Sequence, residues 1–254
     1  MIMEKHLVFF DVDGTLSFNN SDISPENVAA LKKLKAAGHE IFLNTGRSRS
    51  VIPKSFTDAV KFDGFVCGSV YVEYHGKVLH RVCMDDESVR GFCRYAKENG
   101  IGLLIEGEKE SYGVNGGCFH PCVDITEALE ECIVEPSFMR VTKLTCDCDI
   151  PRRIAARFPN VRCINFGTYS EQIVAGYDKA FGMKLLCDKL GVKKENTAAF
   201  GDSVNDIEML KFAGKSVIMK SAPASLDAYA TLRTTLDEGG VSEGIEKIFF
   251  GENK

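Results

Sequence analysis

The stretch LVFFDVDGTL, residues 7–16, decides the fold of this chain. Its first four residues form an uninterrupted run of large apolar side chains, which is typical of a strand buried on both faces of a parallel sheet. Two carboxylates, Asp11 and Asp13, follow the run directly and lead into Gly14. Because ligands of open parallel sheets bind beyond the carboxyl ends of the strands, we expect Asp11 to lie beside a ligand.

Asp11 and Asp13 are separated by a single residue. Two anions so close together repel each other and are costly to remove from water unless a cation lies between them. A bound divalent metal removes that cost, and carboxylate oxygens are ligands that Mg²⁺ prefers. The alternative interpretation is a strand that ends in an ordinary Asp-Gly turn, because both residue types favour turns for backbone reasons.

A second apolar run, IFLNTGR at residues 41–47, also ends in polar residues. The hydroxyl of Thr45, the backbone of Gly46 and the guanidinium of Arg47 are groups that suit phosphate oxygens. By itself this motif does not establish a phosphate site, and it supports one only together with the other motifs.

The third run, TAAFGDSVND at residues 197–206, supplies Asp202 and Asp206 just before a predicted helix. Lys179 begins an earlier segment in which Met183 and Leu186 recur with helical spacing. A lysine at the start of a helix is usually solvated, so Lys179 has no special meaning by itself.

The order of predicted elements divides the chain into two domains. Ser24 and Pro25 suit the start of a helix and Gly38 its end, which gives a strand-helix-strand unit before the run at 41–47. We expect an α/β core with a Rossmann-like, doubly wound, mostly parallel sheet, formed by residues 1–79 and 176–254. Residues 80–175 are expected to form an inserted α+β cap domain.

Within this scheme, residues 71–79 read as a hairpin that leads out of the core sheet. The inserted segment is expected to contain helices near Asp85–Asn99, from about Asp124, and near Ile150–Phe158. Its strands are expected near Gly102–Ile105, Ser111–Val114, Met139–Leu144, Val161–Phe166 and Gln172–Val174.

Composition narrows the function. The 254 residues carry a formal net charge of -5, which argues against a nucleic-acid surface. Ten cysteines occur without a signal peptide, so we interpret them as reduced thiols. The cysteines at 118 and 122 and at 146 and 148 lack the paired spacing of structural zinc sites. We expect a cytoplasmic monomer or homodimer with no membrane span.

Taken in order, an Asp-x-Asp, a Thr, a Lys and a terminal acidic pair resemble the motifs of the haloacid dehalogenase-like phosphohydrolases. The strings DVDGTL (11–16), TGR (45–47) and GDSVNDIEM (201–209) are similar to the Cof-type branch, which includes many sugar phosphatases. One departure is that Cys67-Gly68-Ser69 stands where Cof-type members usually carry Asn-Gly-Ala. A substrate contact made by that Asn therefore does not carry over to this chain.

The resemblance implies a magnesium-dependent phosphatase that hydrolyses small phosphorylated metabolites, in particular sugar phosphates, through an aspartyl-phosphate. Asp11 would be the nucleophile. Asp13 would give a proton to the leaving oxygen and then take one from water. Asp11, the backbone carbonyl of Asp13 and Asp202 would hold Mg²⁺.

The resemblance also assigns the remaining polar residues of the motifs. Thr45 and Lys179 would stabilise the transferring phosphoryl group. Asn205 would fix Asp202 or touch phosphate, and Asp206 would orient Lys179 or a water ligand of the metal. Gly46 and Arg47 would contribute to phosphate binding, with a structural ion pair as the alternative role of Arg47.

Two other functions fit the same motifs. Phosphomannomutases share the DVDGT string and the placement of the cap, so transfer of phosphate between hydroxyls of one sugar is the first alternative. A metabolite-binding regulator that retains the site without turnover is the second.

Overall fold

The structure, a computed structural model, describes residues 4–18, 22–135 and 140–251. The chain divides into two compact units. The core unit consists of Met1–Gly46, Pro53–Leu79 and Asp178–Lys254, and the inserted unit consists of Arg47–Ile52 and His80–Tyr177. The short segment at 47–52 therefore groups with the insertion, although it precedes it by almost thirty residues.

The strands of the described residues, numbered in chain order, are β1 (Leu7–Phe10), β2 (Glu40–Thr45), β3 (Gly64–Cys67), β4 (Tyr71–Tyr74), β5 (Lys77–Arg81), β6 (Leu103–Gly107), β7 (Ser111–Val114), β8 (Val123–Asp124), β9 (Val141–Cys146), β10 (Val161–Asn165), β11 (Ser170–Val174), β12 (Thr197–Gly201), β13 (Lys215–Ile218) and β14 (Leu232–Arg233).

The α-helices of the same residues are α1 (Pro25–Ala36), α2 (Lys54–Ala59), α3 (Asp86–Asn99), α4 (Leu129–Cys132), α5 (Arg152–Ala155), α6 (Lys179–Leu190), α7 (Ile207–Phe212) and α8 (Gly240–Ile245). Segments of 3-10 helix cover Arg49–Val51, Lys194–Asn196, Val204–Asp206 and Ala224–Tyr229, and a π-helical turn, Glu246–Phe250, follows α8.

The sheet of the core unit has the strand order β14-β13-β12-β1-β2-β3-β4-β5. Strands β14 to β3 are parallel to their neighbours, and β4 runs antiparallel to β3. The chain moves outward from β1 to β3 on one side and from β12 to β14 on the other. The predicted doubly wound, mostly parallel sheet is therefore confirmed, with its topological switch point between β1 and β12.

Both faces of β1 are buried because helices cover both faces of the sheet. Leu7 and Phe9 belong to the same apolar cluster as Met183 of α6 and Met209 of α7. Strand geometry turns the intervening residues to the opposite face, and on β1 they are buried as well. Each apolar side chain so buried contributes about 1.5–3 kcal/mol, which explains the unbroken apolar run.

Helix ends in the core unit follow from local hydrogen bonds. The Ser24 hydroxyl accepts the N–H of Asn27 at the start of α1, as the Ser-Pro sequence predicts. The carboxylate of Asp178 accepts the N–H groups of Ala180 and Phe181 at 2.8 and 3.0 Å. This cap fixes the first turn of α6, which begins with Lys179.

The inserted unit is built on a second sheet with the order β10-β11-β9-β6-β7-β8. The pairs are antiparallel except β7 and β8. Helix α3 buries Val89, Phe92 and Cys93 in one apolar cluster with strand residues that include Leu103 and Leu144. This unit therefore has an apolar core of its own.

Two sequence-based predictions were wrong. The hairpin at residues 71–79 does not leave the core sheet, because β4 pairs with β3 through Val66 and Val72 and extends the sheet edge. The helix expected from about Asp124 is the single turn α4, which begins only at Leu129, and Asp124 itself lies in β8. Its carboxylate accepts the N–H groups of Gly116 and Thr126, and such local bonds compete with helix formation.

The other predicted elements of the insertion are present with shifted ends. The helix expected at Ile150–Phe158 is the single turn α5, and the strand expected from Met139 is β9. Met139 itself lies outside the described residues. The ten cysteines are free thiols, and no helix within the described ranges is long and apolar enough to cross a membrane.

We predict that Gly182→Ala destabilises the core unit. An added Cβ would lie 2.5 Å from a methyl carbon of Val66 in β3, so α6 could not keep its distance from the sheet. Helix propensity favours alanine by about 1 kcal/mol, but overpacking costs about 1–3 kcal/mol. Urea unfolding should therefore show a lower free energy of unfolding.

Val66→Ala supplies the control for this prediction. Adding Gly182→Ala to Val66→Ala should cost less than adding it to the wild type, because the obstructing methyl groups are gone. Equal costs in the two backgrounds would contradict the proposed contact.

Candidate active site

Three acidic residues meet at the carboxyl edge of the core sheet. Asp11 follows β1 and Asp202 follows the neighbouring β12, with the Asp11 N–H donating to Phe200 O at 2.9 Å. Asp206 ends the 3-10 turn after Asp202. One carboxylate oxygen of each acid lies within 4.8 Å of the others. The cluster therefore sits beside the switch point of the sheet, where such folds bind ligands.

Lys179 joins this cluster from the first turn of α6. Its Nζ donates to Asp11 Oδ1 at 2.7 Å and to Asp206 Oδ1 at 2.5 Å. The lysine is 3% exposed and Asp206 is 0% exposed, so these are buried ion pairs. Removing one partner from a buried pair typically costs about 3–5 kcal/mol because the other charge is left uncompensated. Lys179 is thus not the solvated helix-start lysine that its position alone would indicate.

Both carboxylate oxygens of Asp206 accept hydrogen bonds from the protein. While Oδ1 accepts Lys179, Oδ2 accepts the backbone N–H groups of Asp202 and Ser203, both at 3.0 Å. Asp206 therefore fixes the loop that carries Asp202 and holds the ammonium at the same time. These contacts favour a positioning role over direct metal ligation.

Asp202 is held from the opposite side by the turn after β1. Thr15 Oγ1 donates to Asp202 Oδ1 at 3.0 Å. Gly14 has φ +80°, and a Cβ at this position would lie 2.3 Å from Asp202 Oδ2. The glycine is therefore required both by its backbone conformation and by the approach of the carboxylate. Sequence reasoning did not assign Thr15, since a hydroxyl in a turn carries no distinctive signal.

The electrostatics of the cluster show an excess of negative charge. Burial, reinforced by the charge of Asp206, raises the pKa of Asp202 to about 6. Burial also raises the pKa of Asp11 well above its usual range, although Lys179 opposes this shift. Burial alone would lower the pKa of Lys179, but the charges of Asp11 and Asp206 outweigh burial and raise this pKa above its usual value. The lysine therefore stays charged.

The same charge balance tests whether the residues fit a divalent metal. Within the described part of the chain, the three carboxylates form one cluster, the Lys179 ammonium is hydrogen-bonded to two of them, Asp11 and Asp206, and their oxygens are hard donors. A second positive charge would lower the cost of ionising Asp11 and Asp202 together. The donor set therefore fits an oxygen-preferring ion such as Mg²⁺. No cysteine or histidine group among the described residues comes together in this way.

Two further predicted site residues, Thr45 and Asp13, lie at or just after the ends of β2 and β1. Thr45 ends β2 and is buried, two residues beyond the Leu43 that pairs with Phe10, and its carbonyl accepts the Gly68 N–H. Asp13 is exposed at the same turn as Gly14.

The last two predicted site residues, Asn205 and Arg47, belong to different units of the chain. Asn205 is exposed and accepts the Ser203 hydroxyl at 2.7 Å, rather than contacting Asp202 through a described hydrogen bond. Gly46 belongs to the core unit, whereas Arg47, which is also buried, belongs to the segment that groups with the inserted unit. The structure therefore brings together Asp11, Lys179, Asp202 and Asp206.

Comparison with known proteins gives full-length matches. The chain is 24% identical to a putative phosphatase, YkrA, of Bacillus subtilis, over 97% of this chain and 98% of the relative. It is also 24% identical to 5-amino-6-(5-phospho-D-ribitylamino)uracil phosphatase YitU of Bacillus subtilis, over 98% and 99%. The solved structure of the subclass IIB sugar phosphatase BT4131 superposes with a TM-score of 0.78 at 23% identity, over 95% and 98%.

A family model covers nearly the whole chain. The model described as haloacid dehalogenase-like hydrolase matches residues 8–245, from the first core strand to the last helix. This match includes every motif that forms the acidic cluster. The chain therefore belongs to the haloacid dehalogenase-like hydrolase family.

Proposed function

We propose that this protein is a magnesium-dependent phosphatase that hydrolyses small phosphorylated metabolites, most notably sugar phosphates, through an aspartyl-phosphate on Asp11. The observation that carries the proposal is the buried bridge of Lys179 between Asp11 and Asp206, 2.7 and 2.5 Å long, beside Asp202. The full-length similarity to relatives named as phosphatases supports the reaction class.

Asp11 is the nucleophile in this proposal. Lys179 favours its ionised form, and only 4% of the residue is exposed. A carboxylate oxygen attacks phosphorus as the bond to the leaving alcohol breaks, and Asp13 gives a proton to the departing oxygen. Water then attacks the phosphorus and loses a proton to Asp13. Cleavage of the acyl phosphate releases inorganic phosphate and restores Asp11.

The phosphoryl oxygens require positive charge and hydrogen-bond donors. Lys179 and the Thr45 hydroxyl supply them, while Gly46, Arg47 and Asn205 are the further phosphate-binding residues of the proposal. Asp11, Asp202 and the backbone carbonyl of Asp13 would hold Mg²⁺, which supplies positive charge against the phosphoryl oxygens. Asp206 keeps Asp202 and Lys179 in place.

We propose that the inserted unit serves as a cap domain that recognises the leaving group. The sheet face opposite its apolar core carries Lys143, whose Nζ lies 2.6 Å from Glu171 Oε1 and 3.9 Å from Glu106 Oε1. Thr145 donates to Glu106 at 2.7 Å. These groups both donate and accept hydrogen bonds, as recognition of sugar hydroxyls requires.

The first prediction concerns the nucleophile. Asp11→Asn should lower phosphate release from a panel of small phosphate esters by about a thousandfold, because an amide cannot form the acyl phosphate. The exposed Asp58→Asn in α2 is the matched control and should retain full activity. Loss of less than tenfold in Asp11→Asn would contradict the assignment.

The same assay separates the alternatives. Phosphate release without an isomerised sugar phosphate supports hydrolysis over a phosphomutase. Isomerisation that is faster than phosphate release would overturn the proposal. Binding of sugar phosphates with no turnover would instead indicate a regulatory protein.

The second prediction concerns the metal. Adding Mg²⁺ to chelator-treated protein at pH 7.5 should raise Tm, with a stabilisation of about 2.7 kcal/mol at a hundred times Kd. The gain should shrink at pH 5, because Asp202, with a pKa of about 6, is ionised above that pH and binds a proton below it. Asp202→Asn should remove the gain, whereas Asp58→Asn should keep it. An unchanged gain in Asp202→Asn would contradict the metal site.

The third prediction concerns selectivity. Glu171→Gln keeps the shape of the side chain but removes the charge that faces Lys143. It should raise KM for a sugar phosphate by about tenfold, roughly the value of one charged hydrogen bond, with p-nitrophenyl phosphate unaffected. Glu130→Gln, which alters an exposed pair with Arg94, is the control. Equal changes for both substrates would argue against leaving-group recognition here.

A further inference from the structure

We infer that Asn44 is a positioning residue that sets the Lys179 ammonium against Asp11 and Asp206. Its Nδ2 donates to the backbone carbonyl of Lys179 at 2.9 Å. No part of the amide contacts the carboxylates in the described hydrogen bonds, so any effect on them passes through Lys179. The inference rests on the proposed function, because it concerns how that site is held for turnover.

Asn44 is an unexpected residue at its place in the sheet. It is the fifth residue of β2, fully buried, and preceded by Ile41, Phe42 and Leu43. Strand alternation places it on the same face as Phe42, which packs in the cluster containing Met183 and Met209. An apolar side chain at this position would serve packing equally well, so packing alone does not explain an amide.

The hydrogen bonds of Asn44 connect the segments that form the site. Besides Lys179 O in α6, Nδ2 reaches the Met209 sulfur in α7 at 3.4 Å. Met209 lies three residues after Asp206, and Asn44 itself precedes Thr45. One amide therefore links the strand that carries Thr45 to the helix that begins with Lys179 and to the helix that follows Asp206.

The amide is retained at an energetic cost. Asn44 Oδ1 is buried and has no hydrogen-bond partner among the described residues. A buried acceptor without a partner destabilises the folded state. A residue that destabilises its surroundings through one atom and ties down a site helix through another is better explained by the site than by stability.

The hydrogen bond that Asn44 Nδ2 donates to the Lys179 carbonyl explains why the placement of Lys179 depends on this amide. The Asp178 carboxylate fixes the N–H groups of the first turn of α6, but it leaves the distance between that turn and β2 undetermined. Asn44 fixes this distance through the Lys179 carbonyl. Since the charge-assisted hydrogen bonds that Nζ donates to Asp11 and Asp206 weaken steeply with distance, a small shift of the turn weakens both ion pairs.

Asn44→Leu tests the inference, because leucine has a similar size and no donor. We expect kcat to fall by about tenfold with KM changed less than twofold, and Tm to stay equal or rise. Phe42→Leu, on the same face of β2, is the matched control: it removes packing without touching Lys179, so it should lower Tm and leave kcat within twofold. A kcat of Asn44→Leu within twofold of wild type, or a loss carried by KM, would overturn the inference.

A structural measurement decides the point independently of turnover. In a crystal structure of Asn44→Leu, a Lys179 Nζ to Asp11 Oδ1 distance beyond hydrogen-bond range supports the inference, and an unchanged distance overturns it. Wild-type protein that releases no phosphate from any ester would instead contradict the proposed function. The distance from Lys179 Nζ to Asp11 Oδ1 in Asn44→Leu would still test the role of Asn44.

Discussion

The buried ammonium of Lys179 is the interaction on which the rest of the site depends. Two carboxylates that approach each other in a buried place repel strongly unless a cation separates them, and Lys179 is within 2.7 Å of both. The two bridged acids come from the end of β1 and from the turn after β12, and the lysine comes from α6, so the bridge joins residues 168 and 27 positions apart in the chain. The helix that buries Met183 and Leu186 in the core also begins with Lys179, so the packing of α6 places the ammonium.

The ammonium of Lys179 does not neutralise all the carboxylates of the cluster. The ammonium is hydrogen-bonded to Asp11 and Asp206, with Asp202 as a third acid of the cluster, and burial together with the charge of Asp206 raises the pKa of Asp202. The protein limits the cost with fixed donors, namely two backbone N–H groups on Asp206 and the Thr15 hydroxyl on Asp202. These donors are part of turns that the sheet holds in place, so they need no rearrangement when further charge arrives. A bound cation would then neutralise the remaining carboxylate charge and attract the phosphoryl oxygens.

Much of this arrangement could be predicted from sequence, because strand ends are visible as apolar runs followed by polar residues. The run at 7–10 predicts the buried central strand, and the parallel order of β1 and β12 brings Asp11 and Asp202 to one edge. Contacts made by ordinary residue types could not be predicted. Thr15, Asn44 and the grouping of Arg47 with the inserted unit depend on distances between segments, which no periodicity reports. The helix expected from about Asp124 begins only at Leu129 for a local reason, since the Asp124 carboxylate accepts the N–H groups of Gly116 and Thr126 instead.

The central claim is that this convergence makes Asp11 the group that captures phosphorus. Sodium borohydride reduces an acyl phosphate to an alcohol, so a reaction quenched with it during steady-state turnover would convert a phosphorylated aspartate to homoserine. Peptide mapping by mass spectrometry then identifies the residue. The account predicts homoserine at position 11, dependent on substrate and Mg²⁺. Conversion of another carboxylate, or an unmodified Asp11 in enzyme that is turning over, would contradict it.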